Sequence, residues 1–248
     1  MSQKLLKLAA LLPGVKLQPH QQQLYEEAEE AAKQDKPFRK LLLWQLGSGK
    51  SLGAIAAAEA LGTPYTGVVP AALRNNLRGE ISKFTDTKTP SDVMSYTAVG
   101  AGALPQHPQT LLADEGQRLR NMQSAQSTQF MDLADNAKNV IMMSGTPIVN
   151  RIGDFATPFN VLTGEKLTPE EFEAKYVKPR MKYKSLFHRI FGIGGKAELD
   201  IANESELKRK LKGKVSYFDP GKPTVPVSYE DVHVTMSPQQ ERLYQAMF

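Results

Sequence analysis

The sequence predicts an α/β domain built on a central, mostly parallel sheet with helices on both faces. Three observations carry this. Apolar runs of four or five residues, too short for helices, alternate with helix-forming segments. The first run, KLLLW at 40–44, fits a buried parallel strand better than a surface one. The residues of unusual chemistry fall just beyond such runs, at the carboxyl ends of the strands, where open sheets of this kind hold ligands.

In chain order, Gln18 to about Ala32 reads as a helix entered through Pro19, with Leu24, Ala28 and Ala31 at helical spacing. Strand 40–44 runs into a glycine-rich turn, and SLGAIAAAEAL at 51–61 is helical in composition despite Gly53. A strand at Tyr65–Val69, a helix from about Ala71 to Phe84 and a strand at Asp92–Tyr96 follow. The strand Thr110–Ala113 ends at two acids, Asp114 and Glu115; a helix at 124–137 and the strand NVIMM at 139–143 complete the alternation. Beyond Asn150 the pattern loosens. TPEEFEAKY at 168–176 is a helix capped by Thr168 with Glu171 in the reciprocal position. ESELKRKL at 204–211 is a short helix, Val227–Met236 reads as a strand, and Ser237-Pro238 opens a last helix. The division expected is a core over 1–160 and a helical, basic extension over 161–248. The chain stops at Phe248 inside a helical pattern, which reads as the first part of something longer.

Composition excludes several classes. With no cysteine there are no disulfides, thiolate metal sites or thiol chemistry. The four histidines, at 20, 107, 188 and 233, form no metal-spaced cluster. No apolar run approaches the length of a membrane span, and MSQKLLKLAALLPG reads as an amphipathic first helix rather than a signal peptide. The net charge of +5 is unevenly placed: residues 178–214 hold 11 basic against 4 acidic side chains, while 1–177 hold 18 of each. Such a segment attracts polyanions, or else is a solvated surface.

The turn after the first strand, WQLGSGKS at 44–51, matches the phosphate loop Gly-x-x-x-x-Gly-Lys-Ser/Thr except that Trp44 stands at the first glycine. Backbone amides of Leu46, Gly47, Ser48 and Gly49 at a helix start can cradle phosphates, Lys50 neutralises them, and the Ser51 hydroxyl is a ligand for Mg²⁺. Asp114 is a hard oxygen donor suited to the same Mg²⁺, and Glu115 can orient or deprotonate a water. An isolated Asp-Glu at a strand end serves as a helix cap; beside a phosphate loop the catalytic reading prevails. Ser144 and Thr146, after the next strand, offer hydroxyls near a terminal phosphate or make a simple turn.

Taken in order, these motifs resemble the first RecA-like lobe of superfamily-2 helicase-type ATPases of the Swi2/Snf2 group. LQPHQ at 17–21 resembles the opening motif, whose Gln21 would then contact the adenine, with His20 also among the nucleotide-binding residues. LGSGKS at 46–51 resembles motif I, which in this family commonly lacks the first glycine. VVPAALRNNLRGEISKF at 68–84 and VMSYTAV at 93–99 resemble motifs Ia and Ib. DEGQRLRN at 114–121 and SGTPIVN at 144–150 resemble the next two, and EEFEAKYVKP and VTMSPQQERLYQAM the stretches that close the lobe.

The resemblance implies a RecA-like P-loop fold, ATP and Mg²⁺ as ligands, and DNA-dependent ATP hydrolysis that drives translocation on duplex DNA or remodelling of protein–DNA complexes. Lys50, Asp114, Glu115 and Gln117 would be the catalytic residues, Gln117 standing where histidine is common. Ala72, Leu73, Arg74, Ser95 and Tyr96 would face DNA through the motifs, and Lys208, Arg209 and Lys210, with Lys182, Lys184 and Arg189, through charge. The basic segment could instead dock an acidic protein or a second lobe. A second RecA-like lobe is expected in the full protein, carrying arginines that complete the site, so this lobe alone should turn over slowly. KGKVSYF at 212–218 resembles a stretch in viral nucleoside triphosphatases. The expected location is the cytoplasm of a bacterial or phage-infected cell, or a nuclear or viral setting in another host, without secretion. The alternatives are a strand-separating helicase, a catalytically inactive RecA-like interaction module, a P-loop metabolic kinase and a transport or motor ATPase.

Overall fold

The computed structural model describes residues 11–86, 89–145, 148, 151–182, 196–221 and 237–245. The strands expected at 40–44, 65–69, 92–96, 110–113 and 139–143 are β1 (Arg39–Trp44), β2 (Tyr65–Val69), β3 (Ser91–Ser95), β4 (Thr110–Ala113) and β5 (Asn139–Met143). With β8 (Val215–Phe218) they form one six-stranded sheet of order β3-β2-β4-β5-β1-β8, every pair parallel. Such a sheet with helices packed around it is the RecA-like α/β arrangement the motifs imply.

Side chains alternate between two cores, as the two-residue period of a strand requires. Leu42, Trp44, Ile141 and Met143 enter one core, beneath α1 (Pro19–Lys33), α2 (Lys50–Leu61) and α3 (Arg74–Phe84). Leu41, Leu111, Val140 and Met142 enter the other, with α5 (Ala125–Asn136) and α6 (Ala156–Thr163). The short helix α4 (Tyr96–Gly100), which the sequence reading did not anticipate, lies between β3 and β4 on this second side. Helix α2 is buried from Gly53 to Leu61, and its alanines let α1 approach with Leu24, Tyr25 and Ala28. Its one buried acid, Glu59, accepts hydrogen bonds from Tyr65 Oη at 3.0 Å and Thr89 Oγ1 at 2.5 Å. Burial nevertheless holds its carboxyl above the usual range.

The described parts of the basic segment, 178–182 and 196–214, lie largely in regular elements. After α7 (Pro169–Tyr176), β6 (Val177–Lys182) and β7 (Lys196–Ile201) form an antiparallel pair, and α8 (Glu204–Leu211) leads into β8. Lys40 donates to Gly213 O at 2.6 Å and Lys214 to Leu162 O at 2.7 Å, tying that return to the sheet. The last helix is α9 (Pro238–Gln245); the strand expected at Val227–Met236 and the first ten residues lie outside the described residues. No helix among the described residues is long and apolar enough to cross a membrane.

Candidate nucleotide site

The sheet order puts β4, β5 and β1 side by side, so the segments leaving their carboxyl ends meet: 114–116, 144–145 and 45–49. The loop from Gln45 turns through Gly47 (φ 78°) and Gly49 (φ 70°), left-handed conformations that favour glycine, and α2 starts at Lys50. Lys50 Nζ donates to Trp44 O at 2.8 Å and Gln45 O at 3.3 Å. It also lies against the β5 exit, since a Cβ built on Gly145 would be 3.9 Å from it. Ser51 follows in the first turn of α2, whose leading N–H groups have no partner within the helix. Leu46 is exposed at the loop tip and Ser48 is buried, its hydroxyl donating to Gln45 O at 2.6 Å.

Trp44 explains how the loop tolerates a large residue at the first glycine. The ring points away from the loop into the core, fully buried, with Nε1 donating to Ser216 Oγ of β8 at 2.9 Å. It lies on Gly53, where a Cβ would come within 2.5 Å of the ring. Glycine in the middle of an alanine-rich helix costs about 1 kcal/mol against alanine. Here the clash outweighs that propensity, so Gly53→Ala should lower stability by roughly 1–3 kcal/mol, measured by urea denaturation.

Asp114 and Glu115 leave β4 on a strained backbone: Glu115 has φ 53°, left-handed for a residue with a side chain. The turn is secured by Asp114 Oδ1 accepting from Glu115 N at 2.9 Å and Asp114 O accepting from Tyr96 Oη at 2.8 Å. Burial raises the Asp114 carboxyl above its ordinary range; the Glu115 charge adds to this, the Glu115 N–H and the Lys50 ammonium oppose it, and Glu80 adds a little more. The Ser51 hydroxyl and the Asp114 carboxylate are the hard oxygen donors a divalent cation would take, and the loop amides with Lys50 suit a triphosphate.

Other expected residues fall differently. Ser144 is buried on the β5 exit, its N–H bonded to Leu42 O at 3.1 Å, while Thr146 lies outside the described residues. Gln117 belongs to the turn Gly116–Arg120, its side chain outside the description. His20 and Gln21 do reach the loop, through carbonyls of Ser48 and Gly49. Ser95 and Tyr96 do not present a DNA-facing surface. Both are buried, the Ser95 hydroxyl capping α4 at Ala98 N and the tyrosine holding Asp114. Ala72 is exposed on the turn Ala71–Leu73, and Leu73 and Arg74 are half-buried beside it. In the cluster at 208–210, Lys208 pairs with Glu204, and Lys210 with Glu165 and Glu206, so among the described residues Arg209 is the one cation of the three without an ion pair. A separate cleft of about 280 Å³ is lined by Arg120, Arg151, Asp154 and Glu170, with Arg151 and Glu170 forming an ion pair. Sequence reasoning missed Phe218 and Ser216 as neighbours of the loop; only Gly53 inside an alanine-rich helix hinted at the packing.

No curated protein matches the chain. The model of the SNF2-related domain matches residues 102–248, more than half of the chain, covering the acidic pair and the β5 exit but not the phosphate loop. That family is one of ATP-dependent, DNA-associated enzymes. With a six-stranded parallel sheet and the motifs of both halves meeting at one edge of it, this chain belongs to the SNF2-related family.

Proposed function

We propose that the chain is the first RecA-like lobe of a DNA-dependent ATPase that translocates on duplex DNA or remodels protein–DNA complexes. The observation that carries this is the convergence of Lys50, Asp114–Glu115 and Ser144–Gly145 at the ends of three adjacent parallel strands. Lys50 and the amides at the start of α2 hold the triphosphate, and Ser51 and Asp114 hold Mg²⁺, which screens the phosphate charge. Glu115, carried on its strained turn, orients the attacking water and takes its proton. A second lobe supplies the arginines for the charge that develops at the γ-phosphate, contacts worth about 10³–10⁵ in rate. The core over 1–160 does the binding with β8 completing its sheet beside β1, and the rest of 161–248 closes the lobe.

DNA engages the turn Ala71–Leu73 and Arg74 at the start of α3, gripping phosphates with little sequence preference. Arg74 supports this: its Nε is shielded from water and has no hydrogen-bond partner among the described residues, a cost an incoming phosphate would relieve. The cluster Lys208, Arg209 and Lys210 is the weaker candidate, because two of its cations already have carboxylates. Fluorescence anisotropy with unrelated duplexes across a salt series tests this. Arg74→Ala should weaken all duplexes alike and lower the log–log salt slope by about 0.9, the contribution of one phosphate contact. The triple alanine variant at 208–210 should lower it by about 0.9 at most, through Arg209. An unchanged slope for Arg74→Ala removes it from the DNA site.

A further inference from the structure

We propose that Tyr96 is a positioning residue for the acidic pair: its hydroxyl holds the peptide between Asp114 and Glu115 in the one orientation that fixes the Asp114 carboxylate. The proposal rests on the nucleotide reading above. It gives Tyr96, which is buried rather than turned to DNA, a part in holding the metal ligand.

The need for this hydroxyl arises at Pro70. Strands β2 and β4 run parallel with Val68 beside Ala113, and Asp114 N–H continues their ladder to Val68 O at 3.0 Å. In a parallel ladder, a residue whose N–H bonds to one carbonyl gives its own C=O to the N–H two residues further along the same neighbour. For Asp114 that residue is the buried Pro70, which has no N–H. The ladder therefore ends with the Asp114 carbonyl lacking its strand donor.

Tyr96, the first residue of α4, supplies the donor instead, its Oη reaching Asp114 O at 2.8 Å. A carbonyl can only accept, so the phenol donates. The side chain is well anchored for this: the residue is 2% exposed, and its ring meets Phe130 of α5 edge-on with centroids 6.1 Å apart. Ser95, just before it, accepts from Ala98 N at 3.1 Å and so fixes the start of the helix that carries the tyrosine.

What the bond accomplishes follows from the planarity of the peptide. In a trans peptide the C=O of one residue and the N–H of the next point in opposite directions. The 114–115 peptide is thus held from both sides, at Asp114 O by Tyr96 and at Glu115 N–H by Asp114 Oδ1 at 2.9 Å. Turning it over would change ψ of Asp114 and φ of Glu115 together, as when a type I turn becomes type II. That would release Glu115 from its left-handed φ of 53°, so the backbone itself favours the turned form. It would also present Asp114 O to its own carboxylate in place of the N–H, and the carboxylate would swing away. The Tyr96 hydroxyl holds the peptide against that bias. Further along, the segment has separate moorings: Arg118 N–H donates to Glu115 O at 3.0 Å, and the buried Ser127 and Thr157 hydroxyls donate to Leu119 O at 3.0 and 2.8 Å. Losing the Tyr96 hydroxyl therefore acts at one peptide, and through it on the Asp114 carboxylate.

The test is calorimetric titration of the 248-residue chain with ATP, with and without Mg²⁺, with thermal melts to verify folding. Tyr96→Phe should reduce the Mg²⁺-dependent gain in affinity by about tenfold, the scale of one hydrogen bond to a charged group, and bind metal-free ATP as wild type does. In an Asp114→Asn background the same change should cost nothing more, because both act through one carboxylate. Pro70→Ala supplies the missing ladder N–H, so adding it to Tyr96→Phe should restore the gain, and should restore folding where Tyr96→Phe alone melts too low to titrate. Equal loss with and without Mg²⁺, no rescue by Pro70→Ala, or a Tyr96→Phe chain that keeps the whole gain would each overturn the proposal and leave the nucleotide reading standing. A wild-type chain that gains nothing from Mg²⁺ would overturn that reading, and the proposal with it, before any variant is compared.

Discussion

Glu115→Gln is expected to lower DNA-stimulated phosphate release by about 10²-fold or more while leaving nucleotide affinity nearly unchanged, because the amide cannot take up the proton of the attacking water. The strained turn strengthens this expectation. A glutamate held at φ 53° costs stability, a cost that a working position can justify, and it stands where β4 ends, next to the half-buried Asp114. Steady-state phosphate release needs the second lobe, so the assay belongs in a protein that contains both. Normal turnover by the variant would remove Glu115 from the chemistry and leave its backbone strain unexplained.

Asp114→Asn should act in two opposite directions. The folded structure raises this carboxyl above its unfolded value, mainly through burial. The stability it contributes is therefore fully present below the unfolded pKa and is lost as pH rises through the folded one. At neutral pH the ionised side chain works against the fold in the absence of metal, and asparagine, whose Oδ1 can still accept from Glu115 N–H, should raise the melting temperature. The same change should remove the Mg²⁺-dependent gain in ATP affinity by about tenfold or more. In wild type that gain should fade on acidification at a pH above the ordinary carboxylate range, as protons compete with the metal for Asp114. A variant that melts lower and still responds to Mg²⁺ would contradict both halves.

The strands that end at Trp44, Ala113 and Met143 were legible because each is a short apolar run followed at once by its motif, and the structure bounds them within a residue of expectation. What stayed hidden depends on partners distant in sequence. VSYF becomes a sixth strand only by pairing with β1, which lies far earlier in the chain. The cations of 208–210 read as a patch for polyanions, yet Lys210 reaches back to Glu165, and no local pattern announces that contact. Ser95 and Tyr96 looked like groups facing a ligand; α4 buries one as a cap and the other as a strut to Asp114. The motif residues could be placed at one edge of the sheet from sequence, but not which of their hydrogen bonds were already taken.

The central claim is that the loop at 45–51 and the acidic pair form one Mg·triphosphate site, and calorimetric titration of the 248-residue chain with Mg·ATP, wild type against Lys50→Ala, tests it most directly. Lys50 is the cation on that loop, lying between the β1 and β5 exits. Wild type should bind at a single site, and Lys50→Ala should weaken binding by at least ~1.5 kcal/mol, about tenfold, with the melting temperature little changed. Equal affinities for the two proteins would contradict the account.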